Sequence, residues 1–303
     1  MGYSARYHAA SLAAVFLALA IGILIGVGLG NKVYKGARND LEQSLKSDLA
    51  GSRTRADDLQ SQLNRERNFS AQIYPALVSN LLHGERIAVV ALGAMPGDMK
   101  GDIESVVGAD SPTGAQLSEV AVVNEPPDLR ALAGAVPGGT PARKVARDPG
   151  ALSALARRAG RSLVTGGPLF DHLHDALLAD VSGRPGGIDA VIVVRARPSD
   201  LSSGQSNATD SLEGGLLDGI EGAAGGVPVV GVERSDSDGS QIGFYGSAGL
   251  TATVDSIDLD SGRVALAYAL AGAEGDYGIK ASADRLLPAL RRPPALPIGP
   301  TFR

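Results

Sequence analysis

The stretch AAVFLALAIGILIGVGLG, Ala13 to Gly30, limits the chain more than any other. The apolar run begins at Ala9 and reaches Gly30 without a charge. That matches the roughly 20 helical residues needed to cross a bilayer core. A secretory signal has a shorter apolar region, about 7–15 residues, before a small-residue cleavage site. Gly28-Leu29-Gly30 could imitate such a site, but the length favours a retained single-pass helix. Ala10, Ala14, Ala18, Gly22, Gly26 and Gly30 recur every fourth residue and form one smooth stripe. Such stripes let two membrane helices approach closely. The abundance of glycine, 40 of 303 residues, offers a chance explanation of the same pattern.

Beyond the anchor, Ala37 to about Arg67 is charged and almost free of helix breakers. Leu45, Leu49, Ser52, Ala56, Leu59 and Leu63 alternate spacings of four and three, the a/d rhythm of a coiled coil. A parallel coil stacked on the membrane helix fits both patterns and implies a homodimer. The alternative is one amphipathic helix packed on its own domain. The helix is expected to continue through Asn68 to Leu82, kinked or restarted at Pro75.

Short apolar runs then take over. RIAVVAL from Arg86, SEVAVV near Val120, RSLVTG from Arg161, IDAVIVV from Ile188, VPVVGVE from Val227 and LTATVDSI from Leu250 read as strands. Helical patterns lie between them: GDMKGDIESVVG, PGALSALARRAG, PLFDHLHDALLADV, SLEGGLLDGIEGAAG and SGRVALAYALAG. This alternation predicts an α/β domain, doubly wound and Rossmann-like or flavodoxin-like, around a mostly parallel sheet. The expected division is 1–36 anchor, 37–83 helical stalk, 84–290 α/β domain and 291–303 proline-rich tail.

Composition removes several chemistries. The net charge of −5 gives no basic footprint for nucleic acid. The absence of cysteine removes disulfides, thiolate metal sites and cysteine nucleophiles. No complete phosphate-binding fingerprint or nucleophile elbow occurs, so neither an enzyme nor a resident cofactor is expected. Leu163 to Pro168, with Gly166-Gly167 before a helix start, is the nearest approach to a phosphate loop; a tight strand-to-helix turn explains it equally. ERSDSDGS, Glu233 to Ser240, reads as a solvated loop. Metal-ligating residue types are sparse. Met95 and Met99 lie four apart, as a soft pair for copper(I) would. His172 and His174 sit among aspartates, but two residues apart on a helix they point to nearly opposite sides. Core packing and a surface helix account for these four as well.

The ends of the chain carry a resemblance. HAASLAAVFLALAIGILIGVGLG from His8 and RNFSAQIYPALVSNLLHGERIAVVAL are similar to the corresponding parts of the MctB family, the actinobacterial copper transport proteins described as outer-membrane channels. TATVDSIDLDSGRVALAYALAGAEGDYGIK resembles the family's C-terminal pattern through Val254-Asp255, Asp258, Gly262-Arg263 and Tyr277-Gly278. Residues 95–240 match by architecture only. The resemblance implies residence in the cell envelope and a role in copper efflux or homeostasis, with copper as cargo or as a weakly bound ion. It supplies no ligand motif. The channel description conflicts with the sequence, because a transmembrane barrel needs many alternating strands of about ten residues. A non-catalytic structural or docking protein, its α/β head holding an envelope partner near the membrane, is the alternative. Arg6 precedes the apolar helix, while Lys32, Lys35 and Arg38 follow it. Charge alone favours a cytoplasmic head; the resemblance implies an extracytoplasmic one, which is the expectation adopted.

Overall fold

The computed structural model describes residues 5–135, 142–145, 147–223 and 226–290; the side chains of 5–6, 28–40 and 142–143 fall outside that description. The surroundings of Gly30 and the proline-rich tail, 291–303, also lie outside it. Two units separate, Met1–Asn68 and Phe69–Arg303.

The first unit is helical throughout its described length. It belongs to α1, Ala5–Val78, whose apolar part Tyr7–Val27 has a mean hydropathy of 2.6 and is unburied. Ala14, Ala18, Gly22 and Gly26 are exposed along it. The leucines at the expected seam are exposed too: Leu45 59%, Leu49 52%, Leu59 60% and Leu63 51%. Pro75 lies inside the helix, which runs on to Val78.

The second unit is a mixed α/β domain with a mostly parallel sheet between helices. Its strands are β1 Arg86–Gly93, β2 Gln116–Val123, β3 Leu178–Gly183, β4 Ala190–Ala196, β5 Val229–Val232, β6 Ala252–Val254 and β7 Gly275–Tyr277. The helices are α2 Gly97–Val107, α3 Leu129–Ala135, α4 Ala142–Val145, α5 Pro149–Thr165, α6 Pro168–Leu177, α7 Ser203–Glu221, α8 Ile242–Ala248 and α9 Asp260–Leu270. The strand order is β3-β2-β1-β4-β5-β6-β7, and only β3 runs antiparallel to its neighbour.

Period-two alternation divides the core. Ala88, Val90 and Leu92 of β1, with Val191 and Val193 of β4, face a cluster that includes Leu132, Leu163, Leu173 and Leu216 of α3, α5, α6 and α7. Ile87, Val89 and Ala91, with Ile192 and Val194, face Ile103 of α2 and Leu266 of α9. Tyr74, Val78 and Leu82 join this second cluster, so the end of α1 is part of the head's core. Strands covered on both faces have no polar face, which explains their continuous apolar runs.

The expected third strand is corrected. Residues 161–165 form the last turn of α5, with no break at Gly160. Gly160 instead lets α5 touch α7: a Cβ there would collide with the carbonyl oxygen of Leu216. Gly219 of α7 meets the carbonyl of Arg157 in the same way. Leu152, Leu155, Ala159 and Leu163 complete the buried helical stripe. The Gly166-Gly167 turn therefore joins two helices, not a strand and a helix. A second correction concerns Leu178 to Val181, assigned to a helix with the preceding residues. They begin β3, the sheet edge, after α6 ends at Leu177. The short β7 and the helices α3, α4 and α8 are additional to the expected elements.

Candidate functional site

Parallel strands bring their carboxyl ends to one edge, and in open α/β sheets ligands bind there, where the strand order reverses. In this sheet the reversal lies between β1 and β4. The edge carries a dense set of buried charges.

Arg195, near the end of β4, donates from Nε and Nη2 to the two carboxylate oxygens of Glu213, at 2.7 and 2.9 Å. Glu213 comes from α7 and is fully buried. The bidentate fork suits a desolvated pair, because both carboxylate oxygens receive donors. Arg195 Nη1 donates to Gln241 Oε1 at 2.6 Å, and its guanidinium lies 4.0 Å over the Phe244 ring. Its backbone N–H donates to the hydroxyl of Tyr245, which donates to the carbonyl of Val232. Arg197, just past β4, binds Asp210 and Ser206 of α7.

Gln241 links this group to the next. Its backbone N–H donates to Glu233 Oε2 at 2.6 Å, while Lys280 Nζ donates to Glu233 Oε1 at 2.6 Å. Asp102 of α2 receives both Arg234 and Arg263. Asp258 accepts from the N–H and hydroxyl of Ser235, at 2.7 and 2.5 Å. Burial pushes the Asp258 carboxyl up, but these bonds outweigh it and hold it below its ordinary range. Asp255 accepts the N–H groups of Ile279 and Lys280, both at 2.8 Å. Gly278 makes that turn with φ 146°, and a Cβ there would strike the Asp255 carboxylate.

These contacts give the C-terminal pattern a physical reason. Asp255 and Gly278 form one turn, Asp258 ties the segment before α9 to Ser235 in the loop after β5, and Arg263 ties α9 to Asp102 of α2. They also correct the reading of Glu233 to Ser240 as a solvated loop. Its first residues are anchors: Glu233 is 2% exposed, and Arg234 reaches across to α2.

The four metal candidates are not brought together. Met99 is buried, and Met95 half-buried, in the cluster on the α2–α9 side. His172 and His174 lie on α6, which packs on the opposite face. His172 Nδ1 is 2.5 Å from the Pro168 carbonyl oxygen, and His174 Nε2 is 3.4 Å from Asp175. Among the described residues no three His, Cys, Asp or Glu side chains are grouped to hold a metal ion.

Two acids outside the sequence expectations stand apart. Glu119 of β2 is 2% exposed, and neither carboxylate oxygen has a hydrogen-bond partner. Burial pushes its carboxyl up to about 7. Glu125, just past β2, has two buried oxygens that accept from no donor. Its carboxyl is pushed up to about 8, first by burial and then by Glu213, against the pull of Arg195 and Arg197. The only sequence signal for either was a glutamate at the centre or the close of an apolar run.

The chain matches the family model described as "Copper transport outer membrane protein, MctB" over residues 3–288. It is 25% identical to the "Copper transporter MctB" of Mycobacterium bovis and 26% identical to that of Mycobacterium leprae. Each alignment covers 91% of this chain and 96% of the relative. No solved structure matches it. An N-terminal apolar helix, a mostly parallel α/β head and a family match over nearly the whole length lead to one conclusion: the chain belongs to the MctB family of copper transport proteins.

Proposed function

We propose that this chain is a helix-anchored envelope protein that acts in copper efflux and homeostasis, with copper as its cargo. The relatives' printed function, aligned over 91% of the chain, carries that reading. Tyr7–Val27 supports an anchor by length and composition. The head faces the extracytoplasmic side in this reading, where an envelope efflux protein would meet exported copper. A sheet with two edges and both faces packed is no lipid-facing barrel. The head therefore acts in copper handling without being the pore.

The active unit is a parallel dimer. Leu45, Leu49, Leu59 and Leu63 offer an apolar seam on the helix surface. With Leu49 at a heptad's first position, Asp48 falls beside the partner's Arg53, and the other flanking pairs across the seam include no like charges. Single substitutions Leu49→Cys and Leu59→Cys each crosslink to the same residue of a second copy under oxidation in membranes; monomers in both would refute the coil.

The test of the function is growth across a copper series. A strain lacking its native copy is complemented with the intact chain or with Met95, Met99, His172 and His174 all changed to alanine. Equal tolerance at equal membrane abundance is expected, because these residues are not gathered into one site. Lost tolerance would show direct ligation by them. Failure of the intact chain to restore tolerance would remove the copper role.

A further inference from the structure

Glu125 occupies a defined place in the fold. β1 and β4 end side by side there, so closely that a Cβ on Gly93 would collide with the Ala196 carbonyl oxygen. Glu125 Oε2 lies 3.3 Å from that Cβ position. The loop carrying it, 124–128, is fixed at both ends. The Asn124 N–H donates to the Leu177 carbonyl at 2.8 Å, and the Asp128 carboxylate accepts the N–H groups of Arg130 and Ala131 at the start of α3. Between these ties the Glu125 side chain reaches the crevice between β1 and β4.

The charged groups facing it are Glu213 of α7 and Arg195 and Arg197 of β4 and its end. Arg195 is committed to Glu213 and Gln241, and Arg197 to Asp210 and Ser206. Tyr245 of α8 donates to Val232, and Glu233, just past β5, is held by Ser240, Gln241 and Lys280. Among the described residues neither Glu125 oxygen receives a hydrogen bond. A buried carboxylate without a donor is costly, and a proton supplies what is missing.

We propose that Glu125 carries a proton that it donates to Glu213, and that this proton latches the 124–128 loop over the crevice between β1 and β4. With the proton in place, Glu125 is the donor and Glu213 accepts while keeping its fork to Arg195. Removing the proton to solvent leaves two carboxylates facing each other in a poorly hydrated space. The loop then swings Glu125 out to water and uncovers the ends of β1 and β4. The raised carboxyl of Glu125, at about 8, puts the change on the alkaline side of neutrality. The latch is closed below that pH and opens above it.

Hydrogen exchange of the full chain in detergent micelles, corrected for the intrinsic effect of pH, reads the latch directly. Exchange in 124–135 should speed up by about tenfold between pH 7 and 9 in the wild type. Glu125→Gln keeps a neutral donor at all pH values and should stay protected throughout. Equal responses in the two proteins would overturn the latch. Infrared spectroscopy of the wild type gives a second reading that needs no variant. A carboxylic-acid signal that titrates near pH 8, separate from the one Glu119 loses near pH 7, is expected. Its absence would overturn the proton on Glu125 even if Glu125→Gln failed to fold.

Discussion

The two sides of the head's sheet treat buried acids differently. On the α2–α9 side and at the carboxyl ends of β5 and β6, Asp102, Asp255, Glu233 and Asp258 all receive donors, from arginines, a lysine, hydroxyls or backbone N–H groups. On the side of α5, α6 and α7, Glu213 is paired by Arg195, but Glu119 and Glu125 accept nothing. Donors on an acid bind its segment to its neighbours, so the first side acts as a permanent fastening. Acids without donors stay protonated near neutrality, so the second side responds to pH. The contrast lies in donors rather than in depth, since Glu119 and Glu233 are each 2% exposed.

The largest effect should come from making the paired acids resemble the unpaired ones. Arg195→Met strands Glu213 in the core and should cost about 3–5 kcal/mol. Chemical denaturation of the detergent-solubilised chain, followed by tyrosine fluorescence, measures it; a loss below about 1 kcal/mol would mean that the fork contributes little. Asp255→Ala should cost about 2–3 kcal/mol, because the N–H groups of Ile279 and Lys280 lose their acceptor. Proteolysis within 278–285 should rise in parallel.

Glu119 sharpens the contrast through pH. Its folded carboxyl is raised from 4.5 to about 7, so the folded state holds the proton more tightly than the unfolded chain. Its favourable contribution is complete below pH 4.5 and lost as the pH rises to about 7. After allowance for partial solvent access, the loss is about 2 kcal/mol. Denaturation midpoints at pH 5 and 8 should differ in the wild type, and the difference should shrink in Glu119→Gln, with the remainder left to Glu125; an unchanged difference would assign the slope to another group. The smallest effect belongs to Arg157→Ala. Its 2.6 Å pair with Asp218 is about half-exposed on both sides and should contribute under about 1 kcal/mol. A larger loss at low salt that disappears at high salt would reveal a wider charge network.

Much of the framework was legible in the sequence. Arg86–Gly93 and Ala190–Ala196 were readable because strands buried on both faces must be apolar at every step. The same rule misled at Ser162 to Val164, where an apolar run beside glycines belongs to a helix. What makes Gly160 a contact rather than a break is Leu216 on another helix, and a local pattern cannot show that. The three residues of β7 were too few to form a pattern. The charged edge was hidden for a related reason. Arg195 and Glu233 close apolar runs, where a charge ordinarily marks the exit to solvent, and their partners come from distant segments. The C-terminal resemblance did mark Asp255, Asp258, Arg263 and Gly278, although their joint role emerges only when the loops converge.

The glycine crossing of α5 and α7 determines which part of the domain can yield. Where backbones meet without side chains between them, there is no compressible layer for one helix to slide on. The pair should therefore move as a single plate, with Glu213 fixed to it and Arg195 drawn into the same mass. A disturbance at the carboxyl edge has nothing to push against on that plate except the light segment that faces it. The plate is the anvil and the 124–128 loop is the moving piece. Substitutions that loosen the crossing at Gly219 would then blur the position of Glu213 from more than one helical turn away, without altering an atom of the edge itself.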